Sequence, residues 1–554
     1  MDSGQQVRST PEPEGAGDDV YVLPTSFAQQ RMWFLDRLSE GSGAYNTPIA
    51  VRLGGALDRG ALTRALAGVV GRHEVLRTTF PTIDGEPVQV VAPAARVGWP
   101  VVDLSALPRA ARAEESERRI AEAARTRFDL ARGPLLRTAL LRLAPDEHVA
   151  LCTLHHIVSD GWSLEVLVRE LAEGYAAALE RRPPSLPPLR IQYADYAAWQ
   201  RRWMEGSGFR RQLDYWREKL SGAPAALDLP TDHPRPARSS FRGAARSFRI
   251  PAGLLAAVAQ LARQQAATPM MGLLAAFKVL LARYTGQTDM VVGTPISNRN
   301  RAELEPLIGF FANTVVLRTD LSGSPTFREV LRRVRQTSLE AHAHQDVPFQ
   351  KVVEALRPDT EPAGNPLFQV SFNHRPAEGP EEVRIPGLTL RPLKGGYEAA
   401  KFDLQLYLSE GADGVHGTML YRTDLFEAAT IERMLRHYER LLRAAVDAPD
   451  TAVGRLPLLS DGELRQLLEE FNRPELAAAR EEALRPLLER CGGAARGPGA
   501  VYVLDGELQP VPVGVWGEVC LGGPLVPGSE AGVRRTAVRG RWRADGTLEH
   551  RAAA

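Results

Sequence analysis

Hydrophobic residues recur along the chain at two spacings, which predict alternating helices and strands. Apolar positions at helical spacing predict helices over Ser26–Arg37, Ala56–Arg72, Arg109–Arg127, Ser163–Glu180, Gln192–Glu205, Phe209–Leu220, Ala252–Gln264, Thr268–Thr285 and Thr326–Ala343. Short apolar runs between them predict strands over Ile49–Leu53, Leu135–Leu143, Val149–Leu154, Ala245–Ile250, Met290–Thr294, Thr314–Thr319, Val370–Asn373, Thr389–Leu393 and Leu404–Glu410. The alternation indicates an α/β fold, and the strand spacing is too irregular to require an all-parallel sheet.

Breaks in this pattern divide the chain. The N-terminus is polar and rich in Gly, Pro and acidic residues, which predicts disorder. A proline-rich stretch near residue 185 predicts a boundary between two segments of similar length. The C-terminal residues are rich in Gly and Pro and can hold only a small core, mainly of strands. The expected segments are 1–18 (disordered), 19–185, 186–455, 456–474 (linker) and 475–554 (C-terminal appendage).

Composition and charge exclude several classes of function. The chain has 554 residues, 44% of them hydrophobic and 24% charged, which suits a globular protein of two or more domains. A net charge of +1 gives no basis for binding nucleic acid or an anionic membrane. The three cysteines show no disulfide or metal spacing, which favours a reducing, cytoplasmic location. The N-terminus lacks a signal-peptide core, and no apolar run is long enough to span a membrane.

The segment 155–161, His-His-Ile-Val-Ser-Asp-Gly, is the strongest candidate for chemistry. It lies between an apolar strand and a helix whose expected N-cap is Ser163, so its side chains stand at the end of a strand. A His there can exchange a proton near neutral pH. An isolated His-His pair is nevertheless more often structural than catalytic. Zinc binding is disfavoured, because neighbouring strand residues point to opposite faces.

Further motifs place this segment in a family. In chain order they are Thr25–Leu35 (TSFAQQRMWFL), Arg72–Phe80 (RHEVLRTTF), the segment 155–161, Tyr193–Trp199 (YADYAAW), Ile308–Thr314 (IGFFANT), His344–Phe349 (HQDVPF) and Asn365–Phe368 (NPLF). Each resembles, at the expected place, a motif of the condensation domains of nonribosomal peptide synthetases. Because all of them occur in register, the chain is identified as a member of that family.

The resemblance implies a fold like that of chloramphenicol acetyltransferase, in which two αβα lobes form a V-shaped pseudo-dimer within one chain. A channel would run between the lobes, with a floor loop near 297–311 and a latch near 373–397. The implied reaction joins two substrates carried as thioesters on the 4′-phosphopantetheine arms of partner proteins. Neither a directly bound cofactor nor a metal is implied. Donor and acceptor carrier proteins and other synthetase subunits are the expected partners.

His156 matches the reactive residue of the family. A neutral α-amine that loses its proton during attack suits a base of near-neutral pKa. The sequence leaves open whether His156 removes that proton or orients the amine. His155 is expected to be structural and to point away from the channel, and Gly161 leaves room for the pantetheine arm.

The resemblance also implies that Asp160 forms a structural ion pair with an arginine. Arg77 is the expected partner, and Arg72 is the alternative. Breaking one side of such a buried pair costs about 3–5 kcal/mol. Arg31 and Asn313 are further side chains that could reach the channel, although packing roles are favoured for both.

The C-terminal segment departs from the pattern of the family. Residues 501–519 and 541–549 resemble late segments of an adenylation domain, but the amino-acid-binding core before them is missing. Thr536-Ala537-Val538 replaces the Thr-Gly-Asp that would bind ribose, and neither a phosphate loop nor a catalytic Lys is present. We therefore expect a truncated remnant that cannot activate an amino acid. No carrier-protein motif is present either, so the chain is expected to be free-standing and to take both carriers in trans.

Three functions remain open at this point. Amide-forming condensation is favoured. The alternatives are transfer of a carrier-bound acyl group to a hydroxyl or a free amine by the same fold, and a non-catalytic docking scaffold. Heterocyclisation is disfavoured because that subfamily carries an Asp-rich version of the segment 155–161. The missing preceding carrier and the sequence Gly161-Trp162-Ser163 disfavour epimerisation.

Overall fold

A computed structural model describes residues 21–38, 43–237, 240–356, 367–375, 382–393, 399–411, 413–473, 500–522 and 533–551. The N-terminal segment 1–18, for which the sequence predicts disorder, lies outside these residues. So do residues 376–381 and 394–397 of the expected latch, residues 365–366 of the last motif, and residues 475–499.

The first part of the chain alternates strands and helices, as the sequence predicts. Its strands are β1 (Tyr21–Pro24), β2 (Asn46–Gly55), β3 (Thr78–Thr79), β4 (Thr82–Ile83), β5 (Glu86–Val91), β6 (Val101–Asp103), β7 (Leu136–Ala144) and β8 (Glu147–His155). Its helices are α1 (Phe27–Leu38), α2 (Arg59–Arg72), α3 (Arg109–Arg125), α4 (Gly161–Glu180) and α5 (Tyr193–Trp203). Short 3₁₀ turns span Glu74–Arg77 and His156–Val158.

The rest of the chain continues the alternation. Its strands are β9 (Gly243–Pro251), β10 (Asp289–Ile296), β11 (Asn313–Asp320), β12 (Val370–Arg375), β13 (Val383–Ile385), β14 (Leu388–Pro392), β15 (Leu404–Gly411), β16 (Gly414–Arg422), β17 (Ala500–Leu504), β18 (Gly517–Gly522), β19 (Val533–Trp542) and β20 (Leu548–Arg551). Its helices are α6 (Ser207–Leu220), α7 (Ala252–Gln264), α8 (Pro269–Thr285), α9 (Phe327–Ala343), α10 (Phe349–Leu356), α11 (Ala428–Asp447) and α12 (Asp461–Leu468). Further 3₁₀ turns span Ala302–Leu304 and Glu470–Asn472.

A six-stranded sheet forms the centre of each of two lobes. The N-terminal sheet has the strand order β13-β14-β2-β8-β7-β6, and the C-terminal sheet has the order β11-β10-β12-β15-β16-β9. Both sheets are mixed, since β6 runs parallel to β7 and β12 runs parallel to β10 and β15, whereas the other pairs are antiparallel. Strand β14 comes from the C-terminal half yet pairs with β2, from Leu388 opposite Gly55 to Pro392 opposite Val51. The chain therefore crosses between the lobes within the expected latch.

Each lobe has its own hydrophobic core. Tyr193 and Tyr196 of α5 belong to the N-terminal core, and Phe209 and Trp216 of α6 belong to the C-terminal core. The change from one core to the other thus comes later than residue 185, where the proline-rich stretch predicts the boundary. The reason is that α5 packs its tyrosines back onto the first lobe.

Helix α11 is absent from the helices predicted above. Its buried residues Ile431, Leu435, Tyr438 and Leu442 recur at helical spacing, so the pattern was available in the sequence. The helix packs against α7, α8 and β9 of the C-terminal lobe.

The C-terminal appendage forms a four-stranded sheet in the order β17-β18-β19-β20. Val519, Val538 and Trp542 of this sheet belong to the same hydrophobic core as the C-terminal lobe. The Trp542 ring lies 5.2 Å from that of Phe471, and Arg283 of α8 pairs with Asp505 at 3.2 Å. The appendage therefore packs on the lobe as one of its layers.

In the described part of the chain, no single helix combines the length and the apolar character needed to cross a membrane. Only α7 and α8 taken together meet that test, and a bend of 99° separates them.

Candidate active site

The segment 155–161 forms a tight turn between the central strand β8 and helix α4, as the sequence predicts. Strand β8 ends at His155, the next three residues form a 3₁₀ turn, and α4 begins at Gly161. The N-cap of α4 is Asp160, whose carboxylate accepts the backbone N–H of Ser163 at 2.9 Å. Ser163, the N-cap expected from the sequence, lies inside the first turn instead. The turn is thus closed by its own carboxylate.

The imidazole of His156 is held at one nitrogen and open at the other. Its Nδ1 lies 2.7 Å from the carbonyl oxygen of Ser159, which can only accept, so Nδ1 carries the proton. Among the described residues, Nε2 has no hydrogen-bond partner and keeps its lone pair free. The backbone N–H of His156 donates to the carbonyl of Tyr45 at 2.8 Å, and its ring meets the Phe310 ring edge-on at 4.8 Å. Nε2 is therefore available as a hydrogen-bond acceptor.

The electrostatic surroundings keep this imidazole neutral. Burial lowers the pKa of His156 to about 3, and the positive charge of Lys401 acts in the same direction. A stable imidazolium is therefore disfavoured at neutral pH. His156 is therefore better suited to accept a hydrogen bond than to become fully protonated.

His155 has a separate, structural set of contacts. Its side chain is 1% exposed, and its Nδ1 accepts the backbone N–H of Ile157 at 3.1 Å. Its Nε2 therefore carries the proton and lies 3.4 Å from Asp36 Oδ1. The ring also packs against Phe128 at 6.0 Å. His155 thus faces away from His156, which follows from their successive positions at the end of a strand.

Asp160 pairs with Arg299, and not with Arg77 or Arg72 as expected from the resemblance. Arg299 Nη2 lies 3.1 Å from Asp160 Oδ1, and both side chains are 1% exposed. The backbone N–H groups of Phe311 and Ala312 donate to Asp160 Oδ2 at 3.0 and 3.2 Å. The guanidinium of Arg299 also donates to main-chain carbonyls of the floor loop, those of Leu304 and Leu307. The carboxylate therefore fixes the loop between β10 and β11, where the floor loop is expected, against the reactive turn.

The expected arginines point elsewhere because each has a nearer partner. Arg77 ends a 3₁₀ turn and donates to the carbonyl of Ala92, with Glu74 3.5 Å away. Arg72 pairs with Glu170 at 3.1 Å. Neither guanidinium has a hydrogen bond to Asp160. One feature of the sequence could have suggested Arg299 as the partner of Asp160, since it lies within the expected floor loop of 297–311.

Gly161 begins α4 beside open space. A Cβ atom built at this position would meet no atom within 4 Å. Gly309 in the floor loop differs, because a Cβ there would collide with the ring of Tyr193. The Tyr193 hydroxyl donates to the carbonyl of Phe310 at 2.6 Å. The floor loop is thus held tightly, whereas the space beside Gly161 is open.

The other sequence motifs mostly support this arrangement. Asn313 has a structural role, since it donates to the carbonyls of Gln345 and Val347 and accepts the N–H of Phe349. Arg31 is the exception, because the contact of its guanidinium within the described part of the chain is with the ring of Phe349, at 4.7 Å. Lys401, a second cation near His156, was not among the predicted site residues.

Comparison with known proteins decides the family. The family model described as "Condensation domain" matches residues 20–468. The chain belongs to the condensation domain family. This family comprises acyl and peptidyl transferases that form amide bonds in peptide synthetases.

Several synthetases are similar to this chain. Chondramide synthase cmdD of Chondromyces crocatus is 44% identical over 505 residues, which cover 91% of this chain and 13% of that protein. Phosphinothricin tripeptide synthetase PhsC of Streptomyces viridochromogenes is 42% identical over 482 residues, covering 86% of this chain and 44% of that protein. The chain therefore spans less than half the length of either relative.

Solved structures share the fold. The X-domain from teicoplanin biosynthesis, in its complex with OxyB, is 34% identical with a TM-score of 0.74, covering 82% of this chain and 98% of that chain. SgcC5 of Streptomyces globisporus is 29% identical with a TM-score of 0.64, covering 77% of this chain and 100% of that chain. The expected α/β fold of two chloramphenicol acetyltransferase-like lobes is thereby confirmed.

Proposed function

We propose that this protein forms an amide bond between a carrier-bound acyl or aminoacyl thioester and the α-amine of a carrier-bound amino acid. The observation that carries the proposal is the geometry of His156. Its Nδ1–H is tied to the Ser159 carbonyl, which leaves its Nε2 as the acceptor, and a Cβ atom built at Gly161 in the same turn would meet no atom within 4 Å. Membership of the condensation domain family supports the same reaction.

In the proposed reaction, the neutral amine attacks the thioester carbonyl, a C–N bond forms, and the C–S bond breaks. The amine loses one proton, and the leaving sulfur of the donor's pantetheine gains one, so the step balances without an added reactant. The low pKa of His156 disfavours full protonation. We therefore assign to Nε2 the role of orienting the amine and accepting its hydrogen bond as the proton moves on to the leaving sulfur.

The remaining residues hold the turn in shape. Asp160 and Arg299 fix the floor loop, and His155 fixes the end of β8 through Asp36. We propose that Gly161 provides the access for the pantetheine arm, because no neighbouring atom fills its side. Carrier proteins and other synthetase subunits are the proposed partners, in the cytoplasm. The C-terminal sheet is proposed to act as part of the C-terminal lobe without activating an amino acid.

The test uses two separately produced carrier proteins, one loaded with a donor and one with an acceptor. Intact-protein mass spectrometry follows the mass of the donor group from one carrier to the other. The wild-type protein should transfer it, and His156→Ala should reduce the initial rate by at least about 100-fold. His416→Ala is the matched control, because this histidine is exposed and pairs with Asp413 in the hairpin of β15 and β16. Equal transfer by wild type and His156→Ala would contradict the role of His156. Because the carriers are separate chains, the assay also tests supply in trans.

Two observations on related structures each favour an alternative function, which the same assay can distinguish. The structure of the relative SgcC5 contains an alcohol, (R)-(-)-1-(2-naphthyl)-1,2-ethanediol, which favours a hydroxyl acceptor as the second candidate. Transfer to a free alcohol, with none to a carrier-bound amine, would identify that activity. The X-domain is found in a complex with OxyB, which favours a docking role as the third candidate. No transfer to any acceptor, together with binding of a partner protein, would support docking.

A further inference from the structure

Two cations meet at the lobe junction beside His156. Lys401 precedes β15 in the C-terminal lobe, and Arg31 lies on α1 in the N-terminal lobe. Among the described residues, neither side chain has an ion-pair or hydrogen-bond partner. Lys401 Nζ lies 5.1 Å from the centroid of the Tyr45 ring, and Arg31 Cζ lies 4.7 Å from that of Phe349. Both cations are thus packed on aromatic rings.

Each cation reaches across from its own lobe to the other. The backbone of Lys401 is anchored in the C-terminal lobe, where its N–H donates to Gln405 Oε1 at 2.9 Å. Its amine extends over Tyr45 of the N-terminal lobe. The carbonyl of Tyr45 in turn accepts the backbone N–H of His156 at 2.8 Å. One aromatic residue therefore contacts both the amine of Lys401 and the reactive turn.

Counting only the residues that the structure describes, the balance of charge around this junction is positive. The titratable and charged groups facing it are Arg31 and Asp36 from α1, Tyr45 ahead of β2, Arg127 after α3, His155 and His156 from the turn, and Lys401 ahead of β15. The carboxylate of Asp36 is engaged by His155 at 3.4 Å and by Arg127 at 3.3 Å. Asp160 is engaged by Arg299. No carboxylate among these groups is left to neutralise Lys401.

The charge of Arg31 affects the pKa of Lys401, and the charge of Lys401 affects the pKa of the neighbouring histidines. Burial and, to a smaller extent, the charge of Arg31 together lower the pKa of Lys401 to about 8. Burial likewise lowers the pKa of Arg31. A positive charge on Lys401 also disfavours protonation of both histidines. Any ammonium group that approached His156 would experience the same repulsion.

The acceptor's α-amine must reach His156 without its extra proton, because only the neutral amine has a lone pair for attack. Unperturbed α-amines have a pKa of about 7.7–8.0, so near neutral pH most of them are protonated. We propose that Lys401, supported by Arg31, is a positioning residue that keeps the acceptor's α-amine neutral at His156. This inference rests on the proposed amide-forming function. The proton leaves to solvent as the amine enters the channel, and no other bond changes.

The test is the pH dependence of carrier-to-carrier transfer by Lys401→Met in the full chain. Methionine keeps the apolar stem over Tyr45 and removes the charge. We expect the acid limb of the rate profile to move up by about one pH unit, which is a loss of about fivefold at pH 7 and about tenfold at pH 6. Near pH 9, where the amine is neutral in any case, the variant should approach the wild-type rate. Lys401→Arg should keep the wild-type acid limb.

Matched controls separate charge from packing. Lys351 also lies over an aromatic ring, that of Phe27 at 5.0 Å, but its amine pairs with Glu354 at 2.6 Å. Lys351→Met should therefore leave the acid limb unchanged. With an aminooxy acceptor, which is neutral over the whole pH range, Lys401→Met and wild type should transfer at equal rates. Arg31→Met is the second charge variant, with a smaller shift in the same direction.

The outcomes distinguish this inference from the proposed function. An unshifted acid limb in both Lys401→Met and Arg31→Met would overturn the inference. A loss that is equal at every pH would overturn it too, since that result indicates a structural role. Absence of transfer by the wild-type protein at all pH values would instead overturn the amide-forming function on which the inference rests.

Discussion

Asp160 and Arg299 form a buried ion pair of 3.1 Å between side chains that are 139 positions apart in the chain. Asp160 caps the helix that follows the reactive turn, and Arg299 belongs to the loop between β10 and β11. The pair therefore joins the turn that carries His156 to the floor beneath it. Substitution of either residue should therefore disturb the conformation of the reactive turn.

A double-mutant cycle measures this contact. Asp160→Asn should lower the free energy of unfolding by about 3–5 kcal/mol, because it leaves the Arg299 charge buried and unpaired. Asp160→Asn and Arg299→Met should be non-additive, with a coupling of about 0.5–3 kcal/mol in urea unfolding. Arg77→Met serves as the matched control and should be additive with Asp160→Asn. If Asp160 couples to Arg77 and not to Arg299, the assignment of the pair is wrong.

The low pKa of His156 predicts how stability depends on pH. In the unfolded chain this histidine is protonated below about pH 6.5, whereas in the folded protein its pKa is about 3. Between these values the unfolded state binds more protons, so stability falls as the pH is lowered. His156→Gln should lose less stability from pH 7 to pH 5, by at most about 1.4 kcal/mol per pH unit. Urea midpoints at three pH values measure the difference, and curves parallel to wild type would argue against it.

The buried Lys278 on α8 predicts that the stability of the fold changes between neutral and alkaline pH. Its side chain is 0% exposed, and its amine donates to the Leu317 carbonyl and the Thr319 hydroxyl, both at 2.7 Å. Burial lowers its pKa to about 7, so between pH 7 and about 10.5 the unfolded state binds more protons and stability rises with pH. Lys278→Met should remove this rise and should be about 1–2 kcal/mol less stable than wild type near pH 10, where only the hydrogen bonds are lost.

Chemical denaturation at pH 7, 8.5 and 10 tests this expectation. Lys351→Met is the control, because the amine of Lys351 is partly exposed and pairs with Glu354. A constant difference between Lys278→Met and wild type across that range would show that Lys278 keeps its charge in the folded protein.

The shared core of the C-terminal sheet predicts a single unfolding transition. Trp542 is 1% exposed and packs on Phe471. Trp542→Ala should cost about 3–5 kcal/mol and lower the melting temperature of the whole C-terminal lobe. Trp516→Ala is a milder control, because its ring is partly exposed and contacts Arg541 and Arg551. A separate early transition with an unchanged main transition would mean that the sheet folds independently.

Local patterns in the sequence were sufficient to predict the reactive turn and the class of fold. The alternation of apolar runs predicted strand β8 and helix α4, and the segment between them contains its own cap and its own hydrogen bonds, such as His156 to Ser159. These contacts span only a few residues, so sequence spacing is a reliable guide to them.

Contacts between distant residues could not be predicted in the same way. The partner of Asp160 was expected to be Arg77, but any buried arginine near the junction satisfies the same charge requirement. Only packing places Arg299 within 3.1 Å. Lys401 was missed because nothing in its neighbours along the chain shows that its amine ends over Tyr45. The packing of residues 500–522 and 533–551 on the C-terminal lobe could not be predicted either, since the apolar side chains on both sides of that contact are ordinary in composition.

The pairing of β14 with β2 has a consequence for how the protein is made. During synthesis, β2 leaves the ribosome roughly 330 residues before β14, which at about 5–20 residues per second is a delay of tens of seconds or more. Once β8 has also emerged, roughly 100 residues after β2, it covers one side of β2 while the other side keeps its backbone N–H and carbonyl groups unpaired. Until β14 has been synthesised, the free edge of β2 in the nascent N-terminal lobe can therefore pair with a wrong strand. We expect aggregation to increase when translation is slow or when polysomes are crowded.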